Sequence, residues 1–295
     1  MPVFAESLPY TYPPQTVLVE PSQAILESPR AIHNPPQAIL KSPRTIQKSP
    51  RALTQPRETP KLAIVIDDLG YSRSRGLQAI NLPGPMTVAV MPHTPNARLL
   101  AEAAHAAGKE VILHHPMQGS NYHPGATGIM TGTLTLAMGR EEISGALAAA
   151  FASVPHCVGM NNHTGSTLTA APAHMHWLMQ DLATRGHYYL DSRTTAQTVA
   201  GEAADAWGIP FVSRDVFLDH KYTASALEYE FDRALDIARR AGNVVLIAHP
   251  LPLSLALLER RLAQLSPEEF QLVHASDLLN TPVQWAPGGV LAGEE

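Results

Sequence analysis

The sequence predicts an α/β protein: a parallel sheet, closed or nearly closed into a barrel, with helices around it. Three observations predict this. From Lys61 onward, short apolar runs alternate with longer helix-like segments, the order that parallel strands and crossover helices require. The runs are uniformly apolar, as strands buried on both faces are. Gly108, Gly186, Gly208 and Gly242 each follow a helical pattern and precede a strand, where a helix C-cap belongs.

The first strand is LAIVI, residues 62–66, five apolar residues followed by Asp67 and Asp68. Further strands are expected near 86–91, 110–114, 157–160, 187–190, 210–213, 244–248 and 270–274. Helical patterns lie between them at 96–107 (NARLLAEAAHAA), 140–152 (REEISGALAAAFA), 172–185, 196–206, 222–240 and 251–265. Seven or eight such units suggest a ring rather than an open sheet. Chemistry in folds of this kind gathers at the C-terminal ends of the strands.

Residues 1–58 read as a Pro-rich disordered tail or linker. QAILESPR (23–30) returns as QAILKSPR (37–44), and QKSPR follows at 47–51. Such units hold too few apolar residues to build a core. The globular part is therefore residues 59–295, within a chain whose 45% hydrophobic content suffices for a sizeable core.

A net charge of -5 gives no sign of a nucleic-acid surface. The single cysteine, Cys157, excludes an intrachain disulfide and a thiolate metal cluster. No apolar stretch reaches the roughly 20 residues of a membrane span. The first 30 residues lack a basic region followed by an apolar one, so no signal peptide is visible. GxSxG, HExxH, P-loop and GxGxxG patterns are absent, which argues against serine esterases, zincins and nucleotide enzymes.

Fourteen histidines stand out, several of them at the ends of apolar runs. The third run ends in His114 and His115, and the fourth in Asn161, Asn162 and His163. The fifth ends in Asp191, Ser192 and Arg193. The sixth carries Arg214, Asp215, Asp219 and His220, and the seventh ends in His249. Aspartate and imidazole together suit a divalent metal with an open position, as in zinc hydrolases. A carboxylate beside the ion can take a proton from water, and a histidine across the site can protonate a leaving group. Adjacent aspartates at a strand end are expected to point in different directions, one to the ion and one to the water. A helix N-cap is the plainer reading of the same pair. His93 and His123 are candidate cleft residues, whereas His174 and His176, two apart on a helix, do not share a face.

The segments AIVIDDLGYS, AGKEVILHHPMQ, VGMNNHTGS, YLDSRTT, RDVFLDH and LIAHP resemble, in order, those of the divergent polysaccharide deacetylases, relatives of the NodB-type carbohydrate esterases. The resemblance spans about residues 61–280. It implies a distorted (β/α)7-type barrel and divalent-metal-dependent removal of acyl groups from a carbohydrate or polysaccharide. It makes Asp67 the general base, Asp68 a metal ligand, His114 the first imidazole ligand and His249 the catalytic histidine. NodB-type proteins place a second histidine four residues after the first; this chain has Gln118 there. His163 is then the choice for the second imidazole, with His115 a competitor of His114. Asp191, Arg193, Asn162, Gln118, Arg214 and Asp219 are expected to brace that shell or meet substrate. The implied cofactor is a divalent ion, zinc first, and the implied location is periplasmic or secreted.

Two other readings compete. A glycosidase needs two carboxylates across a cleft, and Asp191 or Asp219 would have to partner the Asp67–Asp68 pair. A non-catalytic carbohydrate-binding or envelope-assembly barrel would account for Gln118, with Tyr71, Tyr122, Trp177 and Tyr188 as possible sugar contacts.

Overall fold

The computed structural model describes residues 58–123 and 130–279. The expected tail therefore lies outside the described residues, apart from Glu58. Within them the strands are β1 (Lys61–Leu69), β2 (Thr87–Val90), β3 (Glu110–Met117), β4 (Cys157–Thr164), β5 (Tyr188–Asp191), β6 (Phe211–Ser213), β7 (Val216–Phe217), β8 (Asn243–Ala248) and β9 (Gln271–Val273). The helices are α1 (Arg73–Ile80), α2 (Ala97–Ala106), α3 (Arg140–Ser153), α4 (Pro172–Arg185), α5 (Ala200–Ala206), α6 (Ala224–Ala241) and α7 (Pro252–Leu262). A short 3-10 turn, Ala275–Leu278, follows β9.

Among the described residues every strand pair is parallel, in the order β6-β5-β4-β3-β2-β1-β8-β7. The two end strands, β6 and β7, are separated in sequence only by Arg214 and Asp215. One extended segment thus pairs with β5 through its first half and with β8 through its second. The sheet curls into a barrel joined at this seam by chain rather than by a ladder. β9 adds a further distortion, pairing with Lys61–Ala63 of β1 below the point where β2 begins at Val65.

Strand parity sorts the core into two layers. Leu62, Ile64 and Ile66 of β1 pack outward with Leu100, Leu147, Leu178, Phe231 and Leu258 of the helices. Ala63, Val65, Ala89, Ile112, Tyr188, Leu190, Val245 and Ile247 form the inner layer. Val273, Ala275 and Leu278 join that layer from the C-terminal segment.

The helix ends follow local chemistry. Pro172 and Pro252 open α4 and α7, where a missing N–H costs nothing. Thr223 caps α6 by accepting from the Ala226 N–H at 3.3 Å. Gly186 and Gly242 end α4 and α6 with φ of 71° and 89°, the left-handed conformation a C-cap needs.

Helix α1 was not expected from the sequence. Its RSRGLQAI run carries a mid-helix glycine and few apolar residues. The packing explains Gly76: a Cβ there would come within 2.5 Å of Leu100 Cδ1, so the glycine permits the close approach of α2.

Candidate active site

The inner parity of each strand continues past the apolar layer into the polar pole. Asp67 follows Ala63 and Val65; His114 follows Ile112; His249 follows Val245 and Ile247. On β4, Gly159, Asn161 and His163 share one parity while Met160 belongs to the outer layer. The same alternation that builds the core therefore delivers these side chains to the C-terminal mouth.

Asp68 is the exception, and the structure corrects the expectation that the two aspartates diverge by simple alternation. The β1–β2 register shifts between Ile66 and Leu69, and Asp68 has a φ of 62°. This bulge aims two successive side chains at one pole. Asp68 Oδ1 lies 2.8 Å from His163 Nδ1 and 3.1 Å from His114 Nε2. The two imidazole nitrogens are 3.1 Å apart. Atoms spaced in this way can all reach one ion at the roughly 2.0–2.2 Å bonds of zinc to His and carboxylate.

The proton positions support that use. Asn161 donates from Nδ2 to Asp67 Oδ1 at 2.8 Å, so its Oδ1 is the atom facing His114 Nδ1 at 2.7 Å. His114 then carries its proton on Nδ1 and presents the Nε2 lone pair to Asp68 and His163. Burial raises the Asp68 carboxyl, but the neighbouring His163 and His114 imidazoles hold it well below its ordinary range. Asp67, 2% exposed, is pushed up by burial, only partly offset by His114 and His249.

His249 stands opposite. Its Nε2 is 3.9 Å from Asp68 Oδ2, and its Nδ1 is 2.8 Å from Asp219 Oδ1. Asp219 Oδ2 accepts from the His249 N–H at 2.8 Å and from Ser254 Oγ at 2.7 Å. Burial lowers the imidazole's pKa, but Asp219, with Asp68 and Asp67, lifts it to about 10. His249 is thus oriented and protonated by a carboxylate behind it.

His115 does not compete with His114. It takes the outer parity with Val111 and Leu113, is fully buried, and meets the Pro116 carbonyl through Nδ1 at 3.1 Å. Burial depresses it to about 4. Gln118 also leaves the centre: its Oε1 accepts from the Leu136 N–H at 2.7 Å, and its backbone holds the Thr167–Leu168 turn. Asn162 braces the 192–194 loop, accepting from the Ser192 N–H at 3.0 Å. The asparagine that touches the candidate reacting groups is Asn161, not the expected Asn162, and strand parity with His163 is the signal that could have found it. Ser192 and Ser254 were likewise unassigned by sequence reasoning. Asp191 accepts from the Arg193 N–H at 2.7 Å, a backbone link rather than a side-chain ion pair. Asp215 accepts from the Val245 N–H and so pins the seam. Tyr188 is buried at the opposite end of the barrel, donating to Glu110, and cannot meet a sugar. Tyr71, just past β1, is 56% exposed.

Fold and site together define a parallel α/β barrel with a candidate Asp–His–His metal centre at its C-terminal mouth. Its family follows from comparison: the model for divergent polysaccharide deacetylases matches residues 64–279, and the chain belongs to that family. An uncharacterized protein of Escherichia coli K12, YibQ, is 39% identical over 231 residues, covering 78% of this chain and 71% of the relative. An uncharacterized protein of Haemophilus influenzae is 36% identical over 218 residues, covering 74% and 76%. The crystal structure of an uncharacterized protein from Agrobacterium tumefaciens C58 superposes with a TM-score of 0.70 at 26% identity, covering 75% of this chain and 89% of that one.

Proposed function

We propose that this chain is a divalent-metal-dependent hydrolase that removes acyl groups, acetyl foremost, from a carbohydrate or polysaccharide. The observation that carries the reading is the convergence of Asp68 Oδ1, His114 Nε2 and His163 Nδ1 within 3.1 Å of one another, flanked by a held aspartate and a held imidazole. Zinc is the ion of choice for one carboxylate and two imidazoles. When bound, such an ion polarises an acyl carbonyl and acidifies a neighbouring water.

The chain's own groups divide the remaining work. Asp67, fixed by Asn161, takes a proton from the water whose oxygen attacks the acyl carbon. Its raised pKa makes it a stronger proton acceptor than an ordinary aspartate. His249 donates from Nε2 to the leaving nitrogen or oxygen as the C–N or C–O bond breaks. The products are the free acid and a free amine or hydroxyl. Asp219 keeps the imidazole oriented throughout and holds it charged until that proton is donated.

The competing readings fare worse on geometry. Asp219 lies behind His249, and Asp191 is tied to the Arg193 backbone, so neither faces Asp67 as a glycosidase's second carboxylate would. Gln118, the feature that favoured a non-catalytic barrel, lies outside the centre. A polysaccharide substrate also favours action in the periplasm or outside the cell. The test is acetate release from acetylated oligosaccharides by metal-loaded protein, beside metal content in Asp68→Ala and His163→Ala. Release by the wild type, with the ion lost in both variants, is expected. Full metal content in both variants would overturn the assignment.

A further inference from the structure

The barrel seam opens a cleft beside the reaction centre. Arg214 and Asp215, which join β6 to β7, line about 380 Å³ together with Arg193, Thr195 and Ala196. Two guanidinium groups share this space. Arg214 donates from Nε to the Ser192 carbonyl at 2.6 Å and from Nη2 to the Arg193 carbonyl at 2.9 Å. Its Nη1 has no protein partner among the described residues. No carboxylate lies within ion-pair distance of either guanidinium among those residues. Asp215 is the acid at hand, but its Oδ2 accepts from the Val245 N–H.

The arrangement is built rather than incidental. Arg193 is held at a φ of 49°, a conformation a long side chain rarely adopts. Asp191 Oδ1 on its N–H and Arg214 Nη2 on its carbonyl fix it there. Such strain persists only where neighbours over-determine it. Burial, and then the Arg193 charge, draw Arg214 below its ordinary pKa, with the Asp191 and Asp67 carboxylates opposing the shift.

The cleft also borders the pole on two sides. Arg214 stacks over Phe217 at 5.3 Å, and Phe217 lies 5.2 Å from the His249 ring. Ser192, whose carbonyl receives Arg214, takes a hydrogen bond on Oγ from the same Asn161 amide that holds Asp67.

We propose that this cleft binds an oxyanion substituent, a carboxylate or a phosphate, on the glycan deacylated at the neighbouring pole. Paired guanidinium forks are suited to carboxylate and phosphate oxygens. That the ligand is a glycan rests on the hydrolase reading; the anion preference rests on the cleft alone.

The experiment is calorimetric titration of the full chain with three acetylated tetrasaccharides of equal length: one neutral, one bearing a uronate, one bearing a phosphate. Wild type is compared with Arg193→Gln, an exposed position held in the fold through its backbone N–H and carbonyl. At least one charged sugar should bind roughly tenfold more tightly than the neutral one, the scale of one charged hydrogen-bonded contact. The advantage should shrink at high salt and disappear in Arg193→Gln, with neutral-sugar affinity unchanged. Which charged sugar is preferred names the source of the oxyanion. Equal affinity for all three, no binding of either charged sugar, or a preference that survives Arg193→Gln overturns the inference. Acetate release measured in parallel keeps the readings apart. Release without anion preference removes only the cleft, and preference without release removes only the hydrolase.

Discussion

At the N-terminal ends of the strands, Glu110 Oε1 accepts from the Thr87 hydroxyl at 2.8 Å, the Tyr188 hydroxyl at 2.8 Å and the Ser276 N–H at 3.3 Å. At the C-terminal ends, Asp68 Oδ1, His114 Nε2 and His163 Nδ1 face one another. One end surrounds an acceptor with donors; the other turns acceptors toward a common point. Both clusters are largely buried, so burial of charge does not by itself distinguish scaffold from site. The kind of group does. A carboxylate ringed by donors ties the Ala275–Leu278 turn to the barrel floor, while Asp68, His114 and His163 turn potential ligand atoms toward one point.

The largest effect that can test this contrast is on turnover. Asp67→Asn should lower kcat by about 10²–10⁴, the usual range for losing a general base. Metal content and thermal stability should stay near wild type, because the ion-facing atoms belong to Asp68, His114 and His163. Loss of the ion in this variant would mean that Asp67 is a ligand and that the two aspartates share one role.

His115 sharpens the comparison from the other side of the same strand. It sits one residue from the candidate ligand His114, yet its parity sends it into the outer core with Nε2 unpaired. Its folded pKa of about 4 lies below the unfolded value near 6.5. The unfolded chain therefore binds more protons between those values, and stability falls as pH drops from about 6.5 to 4. The full shift amounts to about 3 kcal/mol. Denaturant titrations of wild type and His115→Leu across this window should diverge by that order, the variant keeping more of its stability in acid. Parallel curves would show that His115 carries no buried-proton penalty.

These two histidines also show how much was legible beforehand. Continuous apolar runs and glycine C-caps were enough to mark most elements, because burial on both faces leaves an unambiguous pattern. The pole was legible in part for the same reason: polar residues of inner parity directly after such a run reach the barrel mouth, whereas His115, of outer parity, is buried away from it. Gly76 hid α1, since its value lies in contact with Leu100 rather than in local propensity. The two-residue β7 is too short to leave a periodic signal and exists through its pairing with β8. Asn161 and Asn162 differ only by parity, and assigning it required knowing that β4 shifts register between Cys157 and Met160 and then pairs residue by residue with β3 as far as Thr164. Asp68 needed more still, because a bulge with positive φ breaks the alternation that sequence reasoning relies on.

Asn161 gives the next smaller effect. It fixes the His114 tautomer and holds Asp67 through one amide. Asn161→Ala should weaken metal binding about 10–100-fold, as loss of a group orienting a ligand does. Competition against a chelator of known affinity reads this directly. Unchanged affinity would place the His114 proton under some other control.

The smallest predicted change tests the saturated end. Thr87 Oγ1 donates to Glu110 and accepts from the Ala275 N–H at 2.9 Å, so Thr87→Val removes two buried hydrogen bonds while nearly preserving shape. Each such bond contributes about 0.5–1.5 kcal/mol, so the variant should lose about 1–3 kcal/mol of stability. Metal affinity and turnover should hold, because the inner apolar layer of Ala63, Val65, Ile112 and Ile247 lies between the two ends. A drop in metal affinity larger than the fall in stability would show that the ends are coupled through the barrel. The floor network would then belong to the machinery of the mouth and not to the scaffold alone.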